Sequence, residues 1–194
     1  MIRLRGAALA WLAAAALALP ARAEDVPDPE IRDLRVAAAD GGLRVSYRVE
    51  GGFRPDVIEE LQSGMTVVFR HRIDLLSKRA VPLMPLRLLA RTVVEASVRY
   101  DSLTRQYHLE RRSTREEPEE LRGPVSEPEI AATPSLAEAE TWMSTVTEAT
   151  VPAPPSDDGP RKPRIRVRAE MGRDYRLLIF PFTHAAEAEQ ALGP

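Results

Sequence analysis

The sequence of 194 residues predicts an all-β protein: an antiparallel β-sandwich of about seven strands, with one short helix after strand 2 and one amphipathic helix in a Pro/Glu-rich insert. The main observation is the alternation of apolar and polar residues from Ile31 to Tyr107 and again from Arg164 to Met171. The second is the presence of turn residues between the alternating stretches. Because the chain has no cysteine, its core rather than disulfide bonds must stabilise this fold.

Residues 1–23 have the order of a cleavable secretory signal peptide. Arg3 and Arg5 precede an apolar run from Gly6 to Leu19, and Ala21-Arg22-Ala23 is a small-x-small cleavage site. The run is shorter than the ~20 residues of a membrane-spanning helix. We therefore expect cleavage, with an uncleaved anchor as the alternative. Cleavage would give a periplasmic or secreted bacterial protein, exported by the general secretory (Sec-type) route, with no transmembrane anchor.

The charge balance argues against nucleic-acid binding. The chain has 27 Lys and Arg against 29 Asp and Glu. Loss of the three signal-segment arginines brings the net charge of the mature protein to about −5. A nucleic-acid-binding protein needs a basic surface to neutralise phosphates, so we expect no nucleic-acid partner.

Residues 24–112 form the first part of the predicted sandwich. A first hairpin turns at Asp40-Gly41-Gly42, whose residues tolerate positive φ. Pro55 to Gln62 is a short helix, because proline is tolerated at the first helical position and Gly64 follows the end. The residues predicted to face the core in the following strands are Met65, Val67, Phe69, His71, Ile73, Leu75, Thr92, Val94, Ala96, Val98, Tyr100, Tyr107 and Leu109.

Residues 113–162, with eleven acidic residues and four basic ones, are predicted to be an acidic, proline-rich insert. It is expected to be mostly mobile, because its few aromatic residues and many prolines cannot bury enough surface to offset the cost of ordering. Within it, 135–149 is predicted to be a helix that begins at a capping box of Ser135 and Glu138. Leu136, Ala139, Trp142, Met143 and Val146 form its apolar stripe.

Residues 163–182 are predicted to form a C-terminal hairpin that completes the sandwich. Its first strand, Arg164 to Met171, alternates almost strictly, and Gly172-Arg173-Asp174 is the predicted turn. The return strand, Tyr175 to Phe180, ends at Pro181. Residues 183–194 are predicted to be a tail that is a short exposed helix or frayed.

Two short motifs resemble a known bacterial family. Gly64-Met65-Thr66-Val67-Val68-Phe69 and Leu103-Thr104-Arg105-Gln106-Tyr107 are similar to segments of the family called domain of unknown function 4390 (DUF4390). The resemblance covers roughly Ile31 to Leu109, and Ser135 to Met143 is similar to a later helix of the family. It implies an exported protein of similar size and implies no activity, because the family is uncharacterised.

The sequence favours a non-catalytic protein over an enzyme. His71 is the strongest candidate for a metal ligand or a catalytic base. No carboxylate near it in sequence shares its face, however, so we predict a core histidine that bonds to a backbone group. His108 and His184 lie apart from it, which argues against a metal site. The chain lacks a Gly-x-Ser-x-Gly elbow and a Gly-rich phosphate loop, so we expect no catalytic residues and no cofactor.

Outward-facing arginines are the remaining feature that could carry a function. Arg70, Arg72, Arg99 and Arg105 could form a face for an anionic partner, because a guanidinium group grips carboxylates and phosphates in a forked geometry. The alternative is a solvated face whose charges are matched by acids such as Glu95. The first functional hypothesis is an interaction or scaffold module for an unknown envelope protein or anionic envelope component. The alternatives are a periplasmic carrier of a small molecule or lipid and, third, an unrecognised hydrolase.

Overall fold

The computed structural model describes residues 27–78, 85–116, 122–124, 127–152, 163–177 and 180–192, without the side chains of 122–124, 173–177 and 180–183. The predicted signal segment 1–23 lies outside these residues, as do residues 79–84 and parts of the predicted insert.

Ten strands and two helices make up the described residues, and the all-β, sandwich-like prediction is confirmed. In chain order they are β1 (Glu30–Ala39), β2 (Gly42–Glu50), α1 (Pro55–Gln62), β3 (Thr66–Ser77), β4 (Arg87–Asp101), β5 (Gln106–Glu116), β6 (Arg122–Pro124), β7 (Glu129–Thr133), α2 (Leu136–Ser144), β8 (Thr145–Pro152), β9 (Arg164–Leu177) and β10 (Phe180–Ala191).

The strands form two antiparallel sheets. The small sheet has three strands in the order β1-β2-β8. The large sheet has seven strands in the order β10-β9-β3-β4-β5, and the short strands β6 and β7 both pair with the outer edge of β5. The long strand β3 is therefore central and has β4 on one side and β9 on the other.

The core lies between the two sheets. Alternate residues of β3 point into it, and the register places alternate residues of β4 and β9 beside them. The large sheet contributes, among others, Val67, Phe69, Ile73, Ala96, Val98, Ile165, Val167 and Met171, and the small sheet contributes Val45, Tyr47, Val49, Val146 and Val151. Burial of this many apolar side chains is the main force that stabilises the sandwich.

Local sequence signals predict the first hairpin and the first helix correctly. Ala39 pairs with Gly42, so β1 and β2 are joined at Asp40-Gly41, and Gly41 has a φ of 79°. Gly42 belongs to β2 rather than to the turn. Helix α1 has the predicted bounds, and Gly64 after it has a φ of 84°, which a residue with a Cβ adopts at a cost.

The prediction is wrong for Met65, which alternation assigns to the buried face of the long strand. The structure begins β3 one residue later, and the Met65 side chain is 52% exposed. The reason is the positive φ of Gly64, which redirects the chain so that regular pairing starts at Thr66.

The insert is more regular than predicted. Strand β5 continues to Glu116, β6 and β7 follow, and the helix predicted over 135–149 ends at Ser144. Residues 145–152 instead form β8, which pairs with β2. The β-branched residues of this stretch favour a strand, and the edge of β2 supplies the hydrogen-bonding partner that a helix prediction from sequence overlooks.

The C-terminal prediction is also wrong in its bounds. Strand β9 passes through the predicted turn at Gly172 and ends at Leu177, and β10 occupies much of the predicted tail. Gly172 has a φ of 58°, and a Cβ there would lie 3.1 Å from Val57 Cγ2. This glycine therefore marks an irregularity under α1, not the end of the strand.

Candidate functional site

The outer face, defined as the side of β3, β4, β5 and β9 that points away from the small sheet, holds most of the arginines predicted to bind an anionic partner. Arg70 and Arg72 lie on this side of β3, because the intervening residues His71 and Ile73 are buried in the core. Arg99 lies on the same side of β4, opposite Thr66. Arg105 lies at the end of the face, in the turn before β5, with a φ of 57°.

Acidic residues neutralise part of the outer face. Arg70 Nε is 3.0 Å from Glu95 Oε1, and Arg168 Nε is 3.2 Å from Glu170 Oε1. Exposed ion pairs of this kind contribute at most about 1 kcal/mol each to stability. Their main consequence here is that Arg70 already has a counter-ion, so it is a weak candidate for binding an external anion.

A stronger ion pair occupies the other end of the outer face. Arg91 donates two hydrogen bonds to Asp74, from Nε to Oδ1 at 2.6 Å and from Nη2 to Oδ2 at 3.0 Å. This forked contact raises the pKa of Arg91, despite the opposing effect of burial. Because Asp74 is itself buried, the pair is a structural contact and not a free cation.

Arg72, Arg99 and Arg105 have no ion pair within the described part of the chain. Arg99 and Arg105 are exposed, whereas Arg72 is partly buried. The Nε atom of Arg72 is shielded from solvent and has no hydrogen-bond partner. The structure thus separates the predicted arginines into one that is neutralised and three that keep an uncompensated charge.

Exposed apolar side chains lie near the two exposed arginines. Val68 is 46% exposed on the outer face of β3, and the register aligns it with Ser97 of β4 in the row beside Arg99. Leu103 is 94% exposed in the turn that precedes Arg105. The same turn is ordered by Asp101, whose Oδ1 accepts a hydrogen bond of 2.9 Å from the Leu103 N–H, which lowers the pKa of Asp101.

His71 is buried in the core, as predicted, and bonds to a backbone group. Its Nε2 is 3.2 Å from the carbonyl oxygen of Met143, in the last turn of α2. Burial lowers the pKa of His71 to about 4, so the ring is neutral at pH 7. Because a carbonyl only accepts, Nε2 carries the proton and Nδ1 is an acceptor, which has no partner among the described groups.

Arg111 is a partly buried polar residue on the inward side of β5 that the sequence interpretation missed. Its guanidinium carbon lies 4.1 Å from the centre of the Trp142 ring, and its Nη2 donates to the carbonyl oxygens of Trp142 and Thr145. Its Nη1 is 3.1 Å from Glu129 Oε2, and burial lowers its pKa. Arg111 therefore fixes the junction between α2 and β8. The available signal was its spacing of two from the inward residue Leu109.

The three histidines lie apart, as expected from the sequence. His108 Nε2 is 3.8 Å from Asp101 Oδ2 on the outer face, and His184 Nε2 is 4.0 Å from Asp56 Oδ2 beside α1. Across the described ranges, no group of three or more His, Cys, Asp or Glu side chains is placed to hold a metal ion. None of the helices in those ranges is long and apolar enough to cross a membrane.

The family described as Domain of unknown function (DUF4390) matches residues 27–185. The chain belongs to this family. The match extends through the insert and most of the C-terminal hairpin, well beyond the stretch from Ile31 to Leu109. No curated protein and no solved structure matches the chain.

In this DUF4390 chain the two motifs lie at places where the backbone changes direction. The first runs from Gly64, after α1, into the start of β3, where Val67 and Phe69 are buried. The second includes Arg105, with its positive φ, and Tyr107, whose ring centre is 4.9 Å from that of Tyr100. Both motifs therefore have structural reasons for their residue types.

Proposed function

We propose that the chain is an exported, non-catalytic interaction module of the bacterial envelope that binds an acidic segment of a partner protein through the outer face. The observation that carries this proposal is the position of Arg99 and Arg105, two exposed arginines without counter-ions. They lie beside the exposed apolar side chains Val68 and Leu103. The signal-like order of residues 1–23 supports export.

This combination of side chains suits a protein partner. An arginine binds a carboxylate through two parallel hydrogen bonds, and the strength of these bonds rises when water is excluded. Apolar side chains beside the charge bury surface when the partner docks and help to exclude that water. The partner is therefore expected to carry acidic residues next to apolar ones.

The buried histidine supports a non-catalytic assignment. A general base must come within hydrogen-bond reach of the proton that it removes. His71 is fully buried in the core and already bonds to Met143, so a substrate has no route to it in this conformation.

The test compares two charge-reversal variants of the exported chain. R99E/R105E reverses the uncompensated charges of the outer face, and R35E/R44E reverses two exposed arginines of the small sheet. Native mass spectrometry of each variant purified from its own envelope measures the bound partner. We expect the parent chain and R35E/R44E to retain the same partner protein and R99E/R105E to lose at least about 90% of it. Equal retention by both variants would overturn the proposal.

One observation favours the alternative, a carrier of a small molecule. Tyr47 Oη, His71 Nδ1 and Arg111 Nε are buried between the sheets without hydrogen-bond partners. Buried polar groups normally have partners, so a small polar ligand could serve them. A carrier would show a bound small mass that is lost in Tyr47→Phe, whereas an interaction module would show only the partner protein.

A further inference from the structure

The exposed large apolar side chains of the described residues all lie at one end of the large sheet, next to the turn between β4 and β5. They are Met65, Val68, Leu103 and Ile130. Met65 and Val68 lie at the start of β3, and Leu103 lies in the turn itself. Ile130 lies in β7, which covers the edge of β5. Exposed apolar side chains that are scattered singly are ordinary, whereas a cluster of them indicates a site where another molecule docks.

The strand register places two of these side chains in one row across the outer face. In order from β3 to β7, the row consists of Val68, Ser97, Glu110 and Ile130. Their neighbours along β3, β4 and β5 are buried in the core, so the row points outward. With about 4.8 Å between adjacent strands, Val68 and Ile130 are about 14 Å apart.

The adjacent row gives this end of the sheet an uncompensated positive charge. It consists of Thr66, Arg99, His108 and Ala132. Arg99 is exposed and has no ion pair within the described part of the chain. The acid of the first row, Glu110, is already paired with Arg112. An unpaired guanidinium group beside apolar side chains is complementary to a partner that carries carboxylates beside apolar side chains.

The other half of the outer face lacks this combination. Arg70 is paired with Glu95, and Arg91 forms two hydrogen bonds with Asp74. None of the exposed large apolar side chains of the described residues lies there. The docking surface is therefore limited to the end of the sheet that includes β7, a strand of the insert.

The position of this surface limits the conformation of its partner. It is the face of a sheet, whose backbone groups bond to neighbouring strands, and β7 already occupies the nearest edge. An extended segment on such a face would leave its own backbone N–H and C=O groups without protein partners where water is excluded. A helix satisfies these groups internally, and a span of about 14 Å corresponds to about nine helical residues.

We infer that the end of the outer face formed by Val68, Arg99, Ile130 and Ala132 is the docking surface for an acidic amphipathic helix of the partner protein. The apolar stripe of the helix packs on Val68 and Ile130, and a carboxylate beside the stripe binds Arg99. This inference rests on the proposed function. It adds the conformation of the partner segment and the contribution of β7.

The test uses a synthetic helix as the probe. It is a peptide of three Leu-Ala-Glu-Leu-Glu-Ala-Ala repeats, about 21 residues and thus long enough to populate a helix, with its leucines in one stripe. The control peptide has the same composition, but its leucines are distributed around the helix. Each peptide is titrated at physiological ionic strength into the ¹⁵N-labelled exported chain. We expect only the striped peptide to bind saturably, with amide shifts at the start of β3, the end of β4, the start of β5 and β7.

Two matched variants test the apolar contacts. V68S/I130S removes apolar surface at two exposed positions, where the fold should be retained. V68I/I130V keeps both side chains apolar. We expect V68S/I130S to weaken binding of the striped peptide at least tenfold and V68I/I130V to bind it as the parent chain does. No saturable binding, equal binding of the two peptides, or unchanged binding by V68S/I130S would overturn the docking surface.

Native mass spectrometry of the same variants separates this inference from the proposed function. If R99E/R105E loses the partner protein and V68S/I130S retains it, the proposed function stands and the apolar docking surface is wrong. If the striped peptide binds at this end but the parent chain captures no partner protein, the docking surface stands and the proposed function is wrong. Loss of the partner from both variants, together with binding of the striped peptide, supports both.

Discussion

His71 connects the central strand of the large sheet to the end of α2, and its protonation state should control stability at mildly acidic pH. Burial lowers its pKa from 6.5 to about 4 in the folded chain. The unfolded chain therefore binds a proton at a higher pH than the folded chain does. The contribution of neutral His71 to stability is complete above pH 6.5 and is lost as the pH falls toward 4, by about 3 kcal/mol in total.

Urea unfolding at pH 7, 6, 5 and 4 measures this loss. The control is His71→Gln, whose side-chain N–H can still donate to the Met143 carbonyl but does not titrate. We expect His71→Gln to be less stable than the parent chain at pH 7 and to lose less stability between pH 7 and pH 4. Parallel pH profiles for the two proteins would show that His71 is not the group responsible.

Arg111 should be far more important for stability than its neighbour Arg112. Replacement of Arg111 by Leu removes its contact with the Trp142 ring and leaves the carbonyls of Trp142 and Thr145 without their donor. We expect the free energy of unfolding to fall by about 2–4 kcal/mol. Arg112→Leu removes only an ion pair with Glu110 on the outer face and should cost less than about 1 kcal/mol. Chemical denaturation of both variants checks the difference, and equal losses would contradict it.

His71 and Arg111 show what alternation can and cannot reveal about single positions. His71 is correctly predicted to be buried because it lies between Phe69 and Ile73 in a long alternating strand. The same alternation continues from Leu109 to Arg111. Arginine side chains are rarely buried in proteins unless they are paired, so the sequence alone does not predict that Arg111 points inward. Its partners are backbone carbonyls of α2 and β8, more than 30 residues away, and no local pattern identifies them.

At the scale of elements, the sequence predicts those whose signals are local. Pro55 and Gly64 fix α1 because both act through the backbone of their own turn. Ser135 starts α2 as predicted, with its Oγ accepting a hydrogen bond of 3.3 Å from the Glu138 N–H. The end of α2 at Ser144 depends instead on the free edge of β2, to which β8 pairs. That edge exists only after the sheet has formed.

Strand β10 is the clearest case in which tertiary pairing overrides local preference. Its residues 185–191 are rich in alanine and glutamate, which favour helices, yet they pair in order with β9. The pairing places Ala186 in the core at 2% exposure and leaves the neighbouring Ala185 exposed. Adjacent residues with opposite environments are the signature of a strand.

This alternation gives a direct test of β10. Ala186→Glu would force a carboxylate into the core and should destabilise the fold by about 3 kcal/mol or more. Ala185→Glu adds the same charge on the exposed side and should change stability by less than about 0.5 kcal/mol. Thermal and urea unfolding of the two variants measure the difference. Similar effects at both positions would contradict the strand and favour the frayed tail that the sequence predicted.

At the scale of the whole molecule, the candidate site depends on register, which the sequence does not reveal. Arg70, Arg72, Arg99 and Arg105 could be predicted to point outward from alternation and turn signals alone. Which of them has a counter-ion depends on the alignment of β3 with β4 and β9. Arg72 and Arg168 face each other although 95 residues separate them in the sequence. Pairings between such distant strands are fixed by the complete core, not by either strand alone.

The pairing of β9 with β3 joins the C-terminal strands to the strands before the insert in one cooperative unit. Strand β9 follows the insert, yet it pairs along the central strand β3, and its inward residues Ile165, Val167, Ala169 and Met171 are 0–1% exposed. Burial of one large apolar side chain contributes about 1.5–3 kcal/mol, whereas a whole domain is stable by only about 5–15 kcal/mol. Loss of β9 and β10 should therefore cost as much as the entire stability of the fold.

We accordingly expect a chain that ends at residue 162 to lose cooperative unfolding and its dispersed amide NMR spectrum. The deletion also exposes the edge of β3 that pairs with β9, so an unpaired strand edge would add aggregation to the loss of the core. Adding the separate peptide 163–192 should restore dispersion, because it can pair with β3 in the native register. A control peptide with Ile165→Asp and Val167→Asp should fail to do so. If the truncated chain unfolds cooperatively with the same midpoint temperature as the parent chain, then β1–β8 form an independent core and β9 is only appended to it.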